Sequence, residues 1–174
     1  LALHTYTAGE VLTATNLNES VNGKFALKTS TETVNNSNTV QDDDQLFITP
    51  TINATYFVQL YLIYQSTGST PDIKFGFTMP AGASFNWTAI GVTPTDANQD
   101  STQQSGYIRV SSTSSSTTRA LGTMTGQELS AVPTGLLIMG STAGNLQLQW
   151  SQSAAVAENT QVKANSCIVA TRIA

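Results

Sequence analysis

The chain has few of the groups that protein chemistry relies on. Of its 174 residues one is His (His4), one is Cys (Cys167), and only 10% are charged. A single Cys excludes an internal disulfide framework. Seven Lys and Arg are scattered among eleven Asp and Glu, for a net charge of -4. Nucleic acids and anionic membranes are bound by clustered basic residues, so neither partner is expected. The longest apolar run, Tyr56 to Tyr64, is broken by Gln59. It has the length of a strand, well short of the roughly 18 apolar residues of a membrane span. The opening LALHTYTAGE has no basic region followed by an apolar core, so no signal peptide is expected. No fixed-period repeat is evident.

Ser, Thr, Asn and Gln fill the places that charge leaves, threaded between short aromatic and β-branched runs. An apolar fraction of 40% is enough to build a core, and the length suits one domain with an ordered arm. Residues 1–28 stand apart as that arm. Thr13 or Thr15 can cap a short helix with Leu17 and Val21 on one face, and Asn22-Gly23 would end it. About two turns of helix are not stable alone in water, so the arm is expected to order by docking. Its apolar side chains Tyr6, Val11, Leu12, Leu17 and Val21 are the candidate docking residues.

From about residue 30 the period becomes two. Segments 46–48, 55–64, 72–78 and 84–90 read as strands, and 135–140, 146–150 and 161–173 resume the rhythm. Between them, residues 93–118 read as polar loops around the short strand YIRV. In 55–64 one face carries Tyr56, Val58, Leu60, Leu62 and Tyr64, while the other still offers Phe57, Tyr61 and Ile63. A strand apolar on both faces is central in a sandwich or buried against another subunit. Phe57, Tyr61 and Ile63 are therefore the candidate oligomer interface. Seven or more short strands spaced by turns predict an all-β antiparallel sandwich, jelly-roll-like, over residues 29–174.

Few residues invite chemistry. Asp42-Asp43-Asp44 is the one dense carboxylate cluster, a set of hard oxygens that calcium favours. It lacks the alternation, glycine and distal Glu of an EF-hand, and a polar turn with Asp side chains bonded to the backbone is the favoured reading. His4 lies far in sequence from any nucleophile, and there is no GxSxG elbow. Cys167, in the last strand pattern, is expected to act as a small buried hydrophobe. Four Asn-x-Ser/Thr matches carry no weight without a secretion signal. Trp87, Tyr107 and Tyr6 could stack on sugar rings. Packing is favoured for Trp87, and Tyr107, between two polar loops, is the better candidate for a ligand edge. No enzyme activity, metal or cofactor is expected.

The arm TAGEVLTATNLNESVNGKF resembles the opening segment of many tailed-bacteriophage virion proteins, in which a GEVLTA-x-x-LN stretch begins the chain. The body is similar to the small β-sandwich proteins that follow such segments in phages of actinobacteria. Its matching features, in order, are an acidic turn before a strand (TVQDDDQLFITP), an ATY strand, a PAGA turn followed by Trp, and a QWSQ strand before the closing strand. Proteins of this kind are minor tail or capsid-associated components. The resemblance implies a structural protein on the outer surface of the virion, made in the host bacterial cytoplasm. It would decorate or cement the capsid through its arm, contacting the major capsid protein or another virion protein and its own copies, as a homotrimer. The alternative is a minor tail or fibre-tip protein that binds a host-surface glycan through the loops at 93–106 and 111–118 and Tyr107.

Overall fold

The computed structural model describes residues 7–11, 13–14, 23–92, 106–110 (backbone) and 117–174. Thirteen strands run through these residues, and every ladder between them is antiparallel. They are β1 (Gly23–Leu27), β2 (Glu32–Asn35), β3 (Gln41–Ile48), β4 (Thr55–Ser66), β5 (Ile73–Thr78), β6 (Ser84–Val92) and β7 (Gly106–Val110). There follow β8 (Thr118–Leu121), β9 (Glu128–Ala131), β10 (Thr134–Ile138), β11 (Leu146–Gln152), β12 (Asn159–Val162) and β13 (Cys167–Arg172). The larger sheet is ordered β1-β13-β4-β10-β6-β7, with β2, β12 and β9 continuing it along the far half of β4; the smaller is β3-β11-β5-β8. The protein is thus an antiparallel β-sandwich.

The hub is β4, whose twelve residues alternate strictly between buried and more exposed. Its near half pairs with β13 on one side and β10 on the other; its far half pairs with β12 and β9. All three neighbouring lines of chain break at this level. Pro133, which has no N–H to give a ladder, separates β9 from β10, yet its carbonyl still accepts from Leu60 N at 2.8 Å. Asn165, with φ +70°, turns the chain between β12 and β13, so the pattern 161–173 forms two strands and not one. Asn tolerates that left-handed conformation better than most residues. Lys28 separates β1 from β2, its N–H on Ser166 O at 2.8 Å and its carbonyl accepting from Asn165 N at 2.7 Å. Residues 23–28, grouped with the arm on sequence pattern, thus lie within the sandwich as β1 and the break after it.

Inward side chains of β5 and β6 fill the space between the sheets. Phe77 meets Phe85 and Trp87 edge-on at 5.1 and 5.2 Å, and Phe75 lies 5.5 Å from Trp87. Tilted and edge-on rings place positive edges against negative faces, worth about 0.5–1.5 kcal/mol per pair beyond burial.

At the break after β1, Lys28 turns inward and is only 1% exposed. Its Nζ donates to both oxygens of Asp43 at 2.9 Å and to Glu32 Oε2 at 3.0 Å. Asp43 sits in β3, where three extra residues bulge against β11: Gln149 pairs with Asp42 but Gln147 with Phe47. Gln45 N and Leu46 N donate to Asp43 Oδ1 at 3.0 and 2.9 Å, and Trp150 Nε1 to Oδ2 at 3.2 Å. The Asp43 side chain does bond the backbone, as the turn reading of 42–44 has it, but Asp42 bonds the Gln149 side chain, the segment is a bulged strand, and its middle carboxylate is in the core. Removing one partner of a buried pair leaves an uncompensated charge, at a cost of about 3–5 kcal/mol. Asp43→Leu and Lys28→Met are each expected to lower stability by about that much. The double variant should lose less than the sum of the two by at least about 1 kcal/mol, read from urea midpoints in a double-mutant cycle. Additive losses would show that the pair is not coupled.

Candidate interaction surface

One face of the larger sheet packs on the smaller sheet; the other faces outward and is apolar over its near half. Cross-strand register builds it row by row. In the first row Phe25 stands opposite Val169, Val169 opposite Gln59, and Gln59 opposite Thr134. The next row toward the N-terminal end of β4 runs Thr171, Phe57, Leu136, Asn86. On the other side the row runs Leu27, Cys167, Tyr61. Phe25 is 81% exposed, Tyr61 47% and Phe57 43%, with Leu27, Val169, Ile138 and Ile90 also exposed. No outward position of β1, β13, β10, β6 or the near half of β4 is Asp, Glu, Lys or Arg.

The face is not flat. A trough of about 380 Å³ runs over Thr134, Gly135, Trp87 and Thr88 between Phe57, Asn86 and Leu136. Gly135 allows it: a Cβ there would collide with the carbonyl of Asn86 and lie 2.7 Å from Trp87 Cα, so only glycine lets β10 close on β6 at this point. A second hollow of about 240 Å³ lies among Gln59, Tyr61, Val132, Cys167 and Val169. Beyond the break in the neighbouring strands the same face turns polar. Ile63 stands opposite Ser130, and Lys163 reaches Glu128 at 3.3 Å.

The structure therefore separates the three candidate interface residues. Phe57 and Tyr61 are exposed on the apolar half; Ile63 is half-buried at the boundary. It adds Phe25, Leu27, Val169 and Leu136, which the strand-by-strand pattern could not group because register sets their adjacency. Cys167 is half-buried on this outward face and is not in the core, a correction to the expectation from its strand pattern. Trp87 is 3% exposed with its ring between the sheets, which removes it as a sugar platform.

Of the arm residues, Val11 is exposed, beside a turn in which Glu10 N donates to Thr7 O and Thr7 N to Glu10 Oε2, both at 3.1 Å. Tyr6, Leu12, Leu17 and Val21 lie outside the described residues, as does His4, and of the proposed helix only Thr13 and Ala14 are described. Tyr107 lies in β7, the edge strand, opposite Gly91. Its side chain and most of the two flanking loops fall outside the described residues.

Among the described residues, no group of three or more His, Cys, Asp or Glu is placed to hold a metal ion, and no helix is long and apolar enough to cross a membrane. Among the described residues two titratable groups are perturbed, Tyr64 and Asp72. Tyr64 donates its hydroxyl to Gly122 O at 3.1 Å; burial pushes its pKa well above the usual phenol range, and the charge of Asp72 adds to this. Asp72 is itself pushed up by burial, against the stabilising N–H of Thr123 at 3.0 Å.

No protein-family model matches the chain, and no curated protein sequence matches it. Two solved structures are distantly similar. One is of infectious bursal disease virus, Gx strain, at 8% identity and a TM-score of 0.20, covering 86% of this chain and 39% of that one. The other is of the Gt strain of the same virus, at 8% identity and a TM-score of 0.17, covering 98% of this chain and 44% of that one. The chain thus spans less than half the length of either, and at these scores the likeness carries no argument about function.

Because the folded state holds the Asp72 proton more tightly than the unfolded chain does, its contribution to stability is complete below the unfolded pKa of about 3.9 and is lost as pH rises through the folded value. Asp72→Asn keeps an oxygen for Thr123 N–H and suits the +34° φ at this position. It is expected to raise the melting temperature at pH 7 and to leave it unchanged near pH 3, measured by circular dichroism. A variant no more stable than the parent at pH 7 would contradict this reading.

Proposed function

We propose that the chain is a structural protein of a tailed-phage virion, decorating or cementing the capsid surface through its N-terminal segment and through contacts between its own copies. The observation that carries this reading is the pairing of an uncharged, broadly apolar outer sheet face with a polar sandwich whose best-placed ionisable groups are tied into the core. Asp43 and Lys28, which might otherwise do chemistry, are consumed in holding the sheets together. The resemblance of GEVLTATNLN to phage virion openings supports the same conclusion.

The mechanism is burial of surface. A specific interface buries about 1,200–2,000 Å² in total, and repetition of a weak contact over a symmetric shell multiplies it by avidity. With so little charge at the surface, attachment should be nearly insensitive to salt. The sandwich would project from the particle, and the segment before β1 would make the anchoring contact.

Deletion of residues 1–22 leaves every described ladder in place, because the first paired residue is Gly23. The truncated chain is expected to keep its melting temperature within a few degrees and to lose co-sedimentation with particles that lack the native protein. In native particles the full-length protein should be present at a copy number near that of the major capsid protein, by quantitative mass spectrometry. Attachment that survives the deletion would refute the anchoring role. A copy number of only a few per particle would favour the tail instead.

A further inference from the structure

We infer that the apolar half of the outer face is a two-fold contact between two copies of this chain, in which Phe25 of each seats in the trough over Thr134 and Gly135 of the other. The inference deepens the proposed contacts between copies and rests on that part of the reading; it does not depend on where the protein sits in a particle.

Three observations lead to a second copy. The first is area. Phe25, Phe57, Tyr61, Ile90, Leu136 and Val169 all stand exposed on five neighbouring strands, from β1 across to β6. Extended apolar surface of this kind marks interaction sites, and a standard interface takes about 800 Å² from each partner. The second is charge. With no Asp, Glu, Lys or Arg on this half, a copy of itself is a partner that brings no unpaired charge into the contact, whereas nucleic acids or anionic lipids would call for basic residues.

The third is the placement of knob and hole. Phe25, the most exposed aromatic among the described residues, belongs to β1, and Thr134 to β10. Both lie on one cross-strand row, Phe25, Val169, Gln59, Thr134. An axis parallel to the strands and midway between β13 and β4 has β1 and β10 at equal distances on either side, about 7 Å each at normal strand spacing. Rotation by half a turn about that axis, in the plane between two facing sheets, brings Phe25 of each copy over Thr134 of the other. The same operation sets Leu27 over Val132, Thr171 over Phe57 and Cys167 over Tyr61. Uncharged residues so meet uncharged ones along the seam, and the trough of about 380 Å³ has room for a phenyl ring. Such a contact is isologous and closed, so it forms pairs and not filaments.

The test uses the full chain and sedimentation velocity from about 1 to 100 µM, a range that brackets ordinary interface affinities. The native chain should be a dimer at the upper end. Phe25→Asp, at a side chain exposed to solvent, should keep its melting temperature and weaken association at least about tenfold, as loss of an interface anchor does. Thr134→Lys should do the same. Mixed, the two variants should dimerise where each alone is monomeric, because the mixed pair keeps one native seat and sets Asp against Lys in the other. A native chain that stays monomeric removes self-association altogether, and if it floats with neutral phosphatidylcholine vesicles the face belongs to lipid. A native trimer, a dimer indifferent to Phe25→Asp, or a mixture that remains monomeric overturns the two-fold seating while leaving the virion reading to the deletion experiment.

Discussion

The two sheets are tied together at one end by the buried ion pair of Lys28 and Asp43, and much of the architecture is arranged around it. Lys28 leaves the larger sheet where β1 gives way to β2, and Asp43 leaves the smaller where β3 bulges against β11. Asp43 also takes the indole N–H of Trp150 and two backbone N–H groups, so its carboxylate is satisfied on both oxygens. A charge buried this deeply is tolerable only in such company. The bulge of β3 and the turn at Asn165 are the geometric conditions for it. Without the first, Asp43 would not reach inward, and the second supplies backbone bonds that hold Lys28 at the break.

That arrangement explains how so weakly charged a protein can still present a distinctive surface. With these charges withdrawn into the core, the outer face of the larger sheet is left to Phe25, Leu27, Phe57, Tyr61, Leu136 and Val169. The level at which the chains beside β4 break divides that face, apolar on the β1, β13 and β10 side and polar beside Glu128 and Lys163. The proposed contact works by burial and calls for no reactive side chain on that face.

Much of the sandwich was legible in the sequence because period two is a strong signal. β4, β5, β6 and β11 all fall on segments that read as strands, and Trp150 and Phe75 are buried on the inward faces that this period gives them. Strands β8 and β9 were not legible: TRAL and ELSA are four residues long and include a charge each, so their pairing with β5 and β4 decides them. Asp43 could not be distinguished from Asp42 and Asp44, since its partner Lys28 lies in a segment that reads as an arm. The contact face was half legible. Phe57 and Tyr61 showed as the second apolar side of β4, whereas Phe25 and Leu136 join them only through register, and Ile63 is set apart because β9 and not β10 lies beside it.

Cys167 offers the most direct measurement of the central claim, that this face meets a copy of itself. It is the one thiol in the chain, it lines a hollow beside Tyr61, and it lies on β13, next to the proposed axis. The proposed seating covers each thiol with Tyr61 of the other copy, so pairing should shield it from reagents in solution. The account predicts that the native thiol reacts with a maleimide more slowly as concentration rises from about 1 to 100 µM, while that of Phe25→Asp reacts at one rate throughout. A native thiol that reacts equally fast at both ends of that range would contradict it.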